Sequence, residues 1–159
     1  MRTARLKVGL DTSCLVPLFS VEHVFHAPTV MECDRLRRQH TQFVVPCHAL
    51  LECFSVLTRM PPPFRRSPGA VGRLLQENFS QDAVIPDLSA ALAWSCIGEM
   101  VSRGAGGKTS DALIALAAFE AGATVLLTWN LQDFLQIAPP GLDVATPAEH
   151  AARASRVHR

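Results

Sequence analysis

Residues 110–134 read "SDALIALAAFEAGATVLLTWNLQDF". An apolar helical run opens at Asp111 and breaks at Gly122; "TVLLT" (124–128) then reads as a strand, with Asn130 and Asp133 following it at once. A helix feeding directly into an apolar strand is half of a βαβ unit. The same alternation recurs outward from this stretch. "LKVGL" (6–10), "QFVVP" (42–46) and "AVIP" (83–86) are short β-rich runs bounded by polar or breaking residues, and "DVAT" (143–146) adds a fifth, edge strand. Helical stretches are predicted over roughly 20–40, 47–60, 68–79, 89–103 and 110–121. Such continuous apolar runs suit strands covered on both faces. The expectation is an α/β fold with a mainly parallel sheet of four to five strands and right-handed crossovers.

The bulk numbers agree. A chain of 159 residues, 48% apolar and 18% charged, fits one domain able to bury a core and excludes a disordered chain. A net charge of +1 means that a polyanionic partner would have to be met by a local patch. No apolar run approaches the ~20 residues of a membrane helix, and the start, "MRTARLKVGLDTS", has too brief an apolar stretch for a signal peptide. With five scattered cysteines (Cys14, Cys33, Cys47, Cys53 and Cys96), this argues for reduced thiols in a cytoplasm. Cys47-His48 with Cys53 lacks a second ligand pair at zinc-finger spacing. "RMPPPFRRSPGA" (59–70) reads as a stiff surface connection within the domain, and "RGAGGKTS" (103–110) as a flexible loop without phosphate-loop spacing. Residues 1–148 are taken as a single domain and 149–159 as a basic, frayed C-terminal tail.

In a parallel α/β sheet, ligands collect at the carboxyl ends of the strands. Asp11 ends the first strand in "LDTSCLVPL" (10–18), where a carboxylate interrupts an apolar run. Glu52 falls in the second turn of the helix after the second strand, Asp111 opens the helix before the fourth, and Asn130 and Asp133 follow the fourth. Several hard oxygen ligands at one edge are what Mg²⁺ or Mn²⁺ chemistry on a phosphodiester requires. Each residue also has a plainer reading. Asp111 suits a helix N-terminus, Glu52 shares a helical face with His48, Ser55 and Arg59, Asp133 can cap a short helix, and Asn130 can close a turn. Asp11 is the hardest to explain without a site, because a carboxylate at a buried strand end needs partners.

With those residues in place, the chain resembles the PIN-domain ribonucleases, and most closely the toxins of VapBC-type toxin–antitoxin pairs. The matching stretches are "LDTSCLVPLF" (10–19), "HALLECFSVLTRMP" (48–61), residues 110–134 and "GLDVATP" (141–147), in family order. The resemblance implies a three-layer α/β/α sandwich with strand order 3-2-1-4-5. It implies Asp11, Glu52 and Asp111 as catalytic metal ligands and Asn130 as a fourth, with Thr12, Ser13 and Thr128 supporting them. One or two Mg²⁺ or Mn²⁺ ions would serve hydrolysis of RNA to a 5′-phosphate and a 3′-hydroxyl. Where many relatives carry aspartate, this chain has Asn130, so a second metal would bind more weakly, with Asp133 one helical turn away as a compensating ligand. Arg59 and Lys108, and with them Arg65, Arg66 and Arg103, are candidates for RNA backbone contact. The implied partners are an RNA substrate, an antitoxin protein and a second copy of the chain, with no membrane; the Leu50/Phe54/Leu57 stripe is the surface expected to pair. Aromatic content of 6% with no tyrosine does not make base stacking the main grip. Two rival readings stand beside this one. A PIN-like module that binds RNA or protein with weak catalysis is motivated by Asn130. A phospho-acceptor fold built on Asp11 is opposed by "LDTSC", which lacks the second aspartate such folds need.

Overall fold

Four short parallel strands form the centre: β1 (Lys7–Leu10), β2 (Gln42–Val44), β3 (Val125–Leu127) and β4 (Asp143–Ala145), in the order β2-β1-β3-β4. The computed structural model describes residues 5–157. Register pairs Gly9 with Val44 on one side and with Leu126 on the other, and Leu126 with Val144. Consecutive strand residues point to opposite faces. Val8, Leu10, Val44, Leu126, Leu127, Val144 and Ala145 are all buried, so both faces of the sheet are covered. The result is the α/β/α arrangement.

Among the described residues eight α-helices supply the cover: α1 (Thr12–Leu18), α2 (His26–Arg38), α3 (Cys47–Arg59), α4 (Pro68–Phe79), α5 (Ala90–Arg103), α6 (Thr109–Glu120), α7 (Leu131–Ile137) and α8 (Pro147–Val157). Helix α1 packs on α2 and α3, α3 on α4, and α6 on α5 and α7. Helix α6 approaches β1 closely at Gly9, where a Cβ would stand 2.9 Å from Leu126 Cδ1 and 3.1 Å from Ala118 Cβ. A side chain there would require Leu126 to move its terminal methyl and Ala118 to give by a few tenths of an ångström.

Several expectations are corrected in detail. The run at 83–86 is a single parallel bridge, Val44 to Val84, and not a strand; it keeps the outer place beside β2 that the order 3-2-1-4-5 requires. Helix α1 is absent from the expected helices because Pro17 hides it from a helix reading, and α7 is the short helix that the plainer reading of Asp133 allows, with Asp133 in its first turn. The expected frayed tail is instead α8, as far as the described residues run. It docks on α2 through a buried carboxylate: Glu32 receives Arg35 Nη2 and Nε at 2.5 and 2.8 Å, and its Oε1 lies 2.5 Å from His150 Nδ1 on α8. Burial pushes the Glu32 pKa up, but the Arg35 and His150 contacts together outweigh it and leave it lowered. Of the Leu50/Phe54/Leu57 stripe, Leu57 is buried, while Leu50 and Phe54 are half-buried and, with Leu51, Leu75 and Ile85, line an open groove of about 260 Å³. Another exposed apolar face lies on α5, where Trp94 (72% exposed), Ile97 (45%) and Val101 (76%) fall at helical spacing. The cysteines are free thiols. No helix among the described residues is long and apolar enough to cross a membrane.

Candidate active site

The strand order turns between β1 and β3, so their carboxyl ends emerge side by side. Leu10 pairs with Leu127, and the next residues, Asp11 and Thr128, are therefore neighbours. Asp11 is 4% exposed and caps α1. Its Oδ2 accepts from Thr128 Oγ1 (2.9 Å), Ser13 Oγ (2.7 Å) and the Ser13 backbone N–H (3.2 Å). The two hydroxyls accept in turn: Ser13 Oγ from the Trp129 N–H (2.8 Å) and Thr128 Oγ1 from the Asn130 N–H (2.9 Å). Each hydroxyl thus has its one proton free for the carboxylate, and the strand ends are stitched together around it. Burial raises the Asp11 pKa more than these bonds lower it.

Glu52 reaches the same place from the second turn of α3. Its Oε2 accepts from Thr12 Oγ1 at 2.7 Å, and its Oε1 lies 3.2 Å from His48 Nε2, one helical turn earlier. That approach is not aligned as a hydrogen bond, and the buried Nε2 has no hydrogen-bond partner among the described residues. Asp111 stands in the first turn of α6. A helix N-terminus favours a carboxylate by about 0.3–1 kcal/mol, yet the Asp111 pKa is raised: burial and the charges of Asp11, Asp133 and Glu52 win over Lys108, which pulls it down. Lys108 instead grips Asp133, Nζ to Oδ1 at 2.5 Å, and holds that carboxyl below its usual range.

A cleft of about 470 Å³ gathers Asp11, Thr12, Ser13, Glu52, Asp111 and Asn130 along one wall. It is also lined by Val16, Pro17, His23, Phe25 and Trp129. Of the residues nominated from the sequence, Thr128 stands behind Asp11, and Asp133 is outside the cleft in its pair with Lys108. None of the five basic candidates lines the cleft. Arg59 and Arg65 bond to the backbone carbonyls of Ser55 and Met60, and Arg103 bonds to Glu99 and to the Gln136 carbonyl. His48 and the aromatic wall were missed as site residues. The available signal was "HVFH" (23–26), a cluster of rings in an aromatic-poor chain, and Trp129 wedged between two nominated residues.

No family model matches the chain. Curated relatives do. It is 33% identical to ribonuclease VapC27 of Mycobacterium tuberculosis over 71% of this chain and 77% of that one. It is 34% identical to ribonuclease VapC40 of the same organism over 75% and 84%. Among solved structures it superposes on VapBC2 of Rickettsia felis, crystallised on a promoter DNA fragment, with a TM-score of 0.65, 17% identity and coverage of 89% and 98%. It also superposes on M. tuberculosis VapC20, described as a toxin cleaving the sarcin–ricin loop, with a TM-score of 0.61, 16% identity and coverage of 80% and 93%. The fold and the turn-point cleft are those of a PIN domain. Within that class, the chain belongs to the VapC family.

The donors suit a hard divalent cation by type: three carboxylates and an amide oxygen around one cleft. Their spacing is that of groups held apart, since among the described residues no three His, Cys, Asp or Glu side chains come close enough to share one ion. Thr12 and His48 draw Glu52 to one side, and Asp111 carries the repulsion of its acidic neighbours. Unbalanced like charge of this kind is relieved by a cation.

Proposed function

We propose that this protein is a divalent-metal-dependent endoribonuclease, the toxin of a toxin–antitoxin pair, acting in the cytoplasm. The observation that carries the reading is the convergence of Asp11, Glu52, Asp111 and Asn130 on one cleft at the carboxyl ends of β1 and β3. Asp11, Glu52, Asp111 and Asn130 would hold one or two Mg²⁺ or Mn²⁺ ions. Such an ion supplies a water of lowered pKa and stabilises the charge that builds on the phosphorus.

The chain's own residues do the positioning. Ser13 and Thr128 fix Asp11 through Oδ2 alone, so its Oδ1 is the oxygen left for a cation. Thr12 orients Glu52, and the first turn of α6 fixes Asp111 opposite. Lys108 pairs with Asp133 and lowers the Asp111 pKa, partly offsetting the acidic charge beside the neutral Asn130. The products would carry a 5′-phosphate and a 3′-hydroxyl. The α5 face of Trp94, Ile97 and Val101 supports a homodimer, and relatives solved as VapBC complexes support an antitoxin partner.

Melting with Mg²⁺ or Mn²⁺ tests the site: both ions should raise the Tm by mass action, and Asp11→Asn should remove most of the rise. RNA cleavage that survives EDTA, or a wild-type Tm indifferent to both ions, overturns the reading. Asn130 favours one alternative, a weakly catalytic RNA- or protein-binding module. Asn130→Asp separates the two by tightening Mn²⁺ binding and keeping or raising cleavage in an enzyme, and by creating none in a binding module.

A further inference from the structure

The cleft has two unlike walls, and the acidic one is accounted for. The other carries a stacked aromatic pair. Phe25 and Trp129 lie parallel, with ring centroids 4.1 Å apart and planes 5° from coplanar, and His23 sits 5.7 Å from Phe25. Neither ring is buried, and both line the cleft. The indole cannot turn freely: Trp129 Nε1 donates to Thr29 Oγ1 at 2.9 Å, and its backbone N–H is held by Ser13. Thr29 in turn donates to the Phe25 carbonyl at 2.6 Å, so one threonine braces both members of the pair.

Placement gives the pair a chemical partner. Trp129 is flanked in the chain by Thr128, which bonds Asp11, and by Asn130 on the acidic wall. Whatever packs against the rings is therefore joined within one residue's reach to whatever is held by the carboxylates. A nucleotide is built in that way, with a flat apolar base beside a phosphate. From this we infer that the Phe25–Trp129 pair is a stacking shelf for an unpaired base of the RNA substrate, next to the phosphate being cut. The inference rests on the ribonuclease reading above. A base inside a duplex is already stacked on both faces and cannot use the shelf, so it selects single-stranded or looped RNA. Composition argued against many stacking contacts; it does not bear on one rigid contact in the right place.

Cleavage of a short single-stranded oligoribonucleotide tests this, alongside the same strand with single abasic positions walked along it and the same strand closed in a duplex. Phe25→Leu, which keeps the volume and loses the ring, should raise KM roughly 5- to 150-fold with kcat little changed. Phe25→Tyr should restore it. An abasic position beside the cut should impair the wild type by a similar factor and the Phe25→Leu enzyme far less. Binding is read separately in an Asp111→Asn, Trp94→Phe protein, whose one remaining tryptophan is Trp129: the intact oligonucleotide should quench its fluorescence saturably, and the strand lacking the flanking base should not. Cleavage that ignores both Phe25→Leu and the abasic position overturns the shelf and leaves the ribonuclease reading standing. A wild type that cleaves no RNA overturns that reading instead, and the quenching measurement still decides whether the rings take a base.

Discussion

Asp11 and Glu32 are both nearly inaccessible carboxylates, 4% and 1% exposed, and they are treated in opposite ways. Glu32 is met by a guanidinium fork and an imidazole, which hold its pKa down. Asp11 is met only by hydroxyls and backbone N–H groups, and its pKa stays up. A buried acid given a cation by its own chain is complete; it ties α2 to α8. A buried acid given hydrogen bonds but no cation is positioned and left unneutralised. The second pattern marks the site, and the first marks the scaffold.

Breaking each pattern should give different failures. The largest effect falls at the acidic edge. Asp11→Asn or Asp111→Asn should lower RNA cleavage by more than the about 10- to 100-fold expected for a supporting group, while urea melts show a fold at least as stable as the wild type. Next is Glu32→Gln, which strands Arg35 and should cost about 3 kcal/mol of stability, with kcat unchanged once the protein is folded. Thr128→Val removes one of the hydroxyls on Asp11 and should lower cleavage about 10- to 100-fold. Because that bond holds the Asp11 pKa down, its loss should also move the acid limb of the pH–rate profile to higher pH. The smallest effect belongs to Asp87, which follows the outer bridge and does not line the cleft. Asp87→Asn should leave cleavage rates within error of the wild type.

The same contrast sets opposite responses to acid. Asp11 and Asp111 titrate above their ordinary value of 3.8 in the folded protein, so their contribution to stability is present below 3.8 and is lost as pH rises through the raised values. Glu32 titrates below 4.5, so its contribution is present above 4.5 and is lost as pH falls through the lowered value. Without metal, Asp111→Asn should raise the Tm at pH 7 and flatten its change between pH 7 and about 4. Glu32→Gln should lower the Tm at pH 7, with the deficit shrinking only below pH 4.5. A Tm for Asp111→Asn below the wild type at pH 7 would show that the edge is not under like-charge strain.

The acidic residues were legible because each sits where period and order are strict, at a strand end or in the first turns of an adjoining helix. Asp11 and Thr128 meet because Leu10 and Leu127 pair, a neighbourhood that the strand order implied by the family resemblance already contains. What escaped notice depends on contacts that no local pattern encodes. Helix α1 is short and contains Pro17, and α8 has few buried residues and is held by polar ties to Glu32 on α2 and to Asp143 on β4. The strand at 83–86 shrinks to one bridge because little of it pairs with β2. The aromatic wall is formed by a loop at 23–25 and by Trp129, about a hundred residues apart in the chain and joined through Thr29.

Gly9 lies two residues before Asp11, and the missing methyl at that position lets α6 settle closely on β1 and β3. Ala118, which a side chain at Gly9 would meet, is two turns along the rod that carries Asp111. A methyl there asks Ala118 to give by a few tenths of an ångström, within the helix that carries Asp111. Gly9→Ala should therefore leave the protein folded, with RNA cleavage lowered because the helix bearing Asp111 has shifted on the sheet.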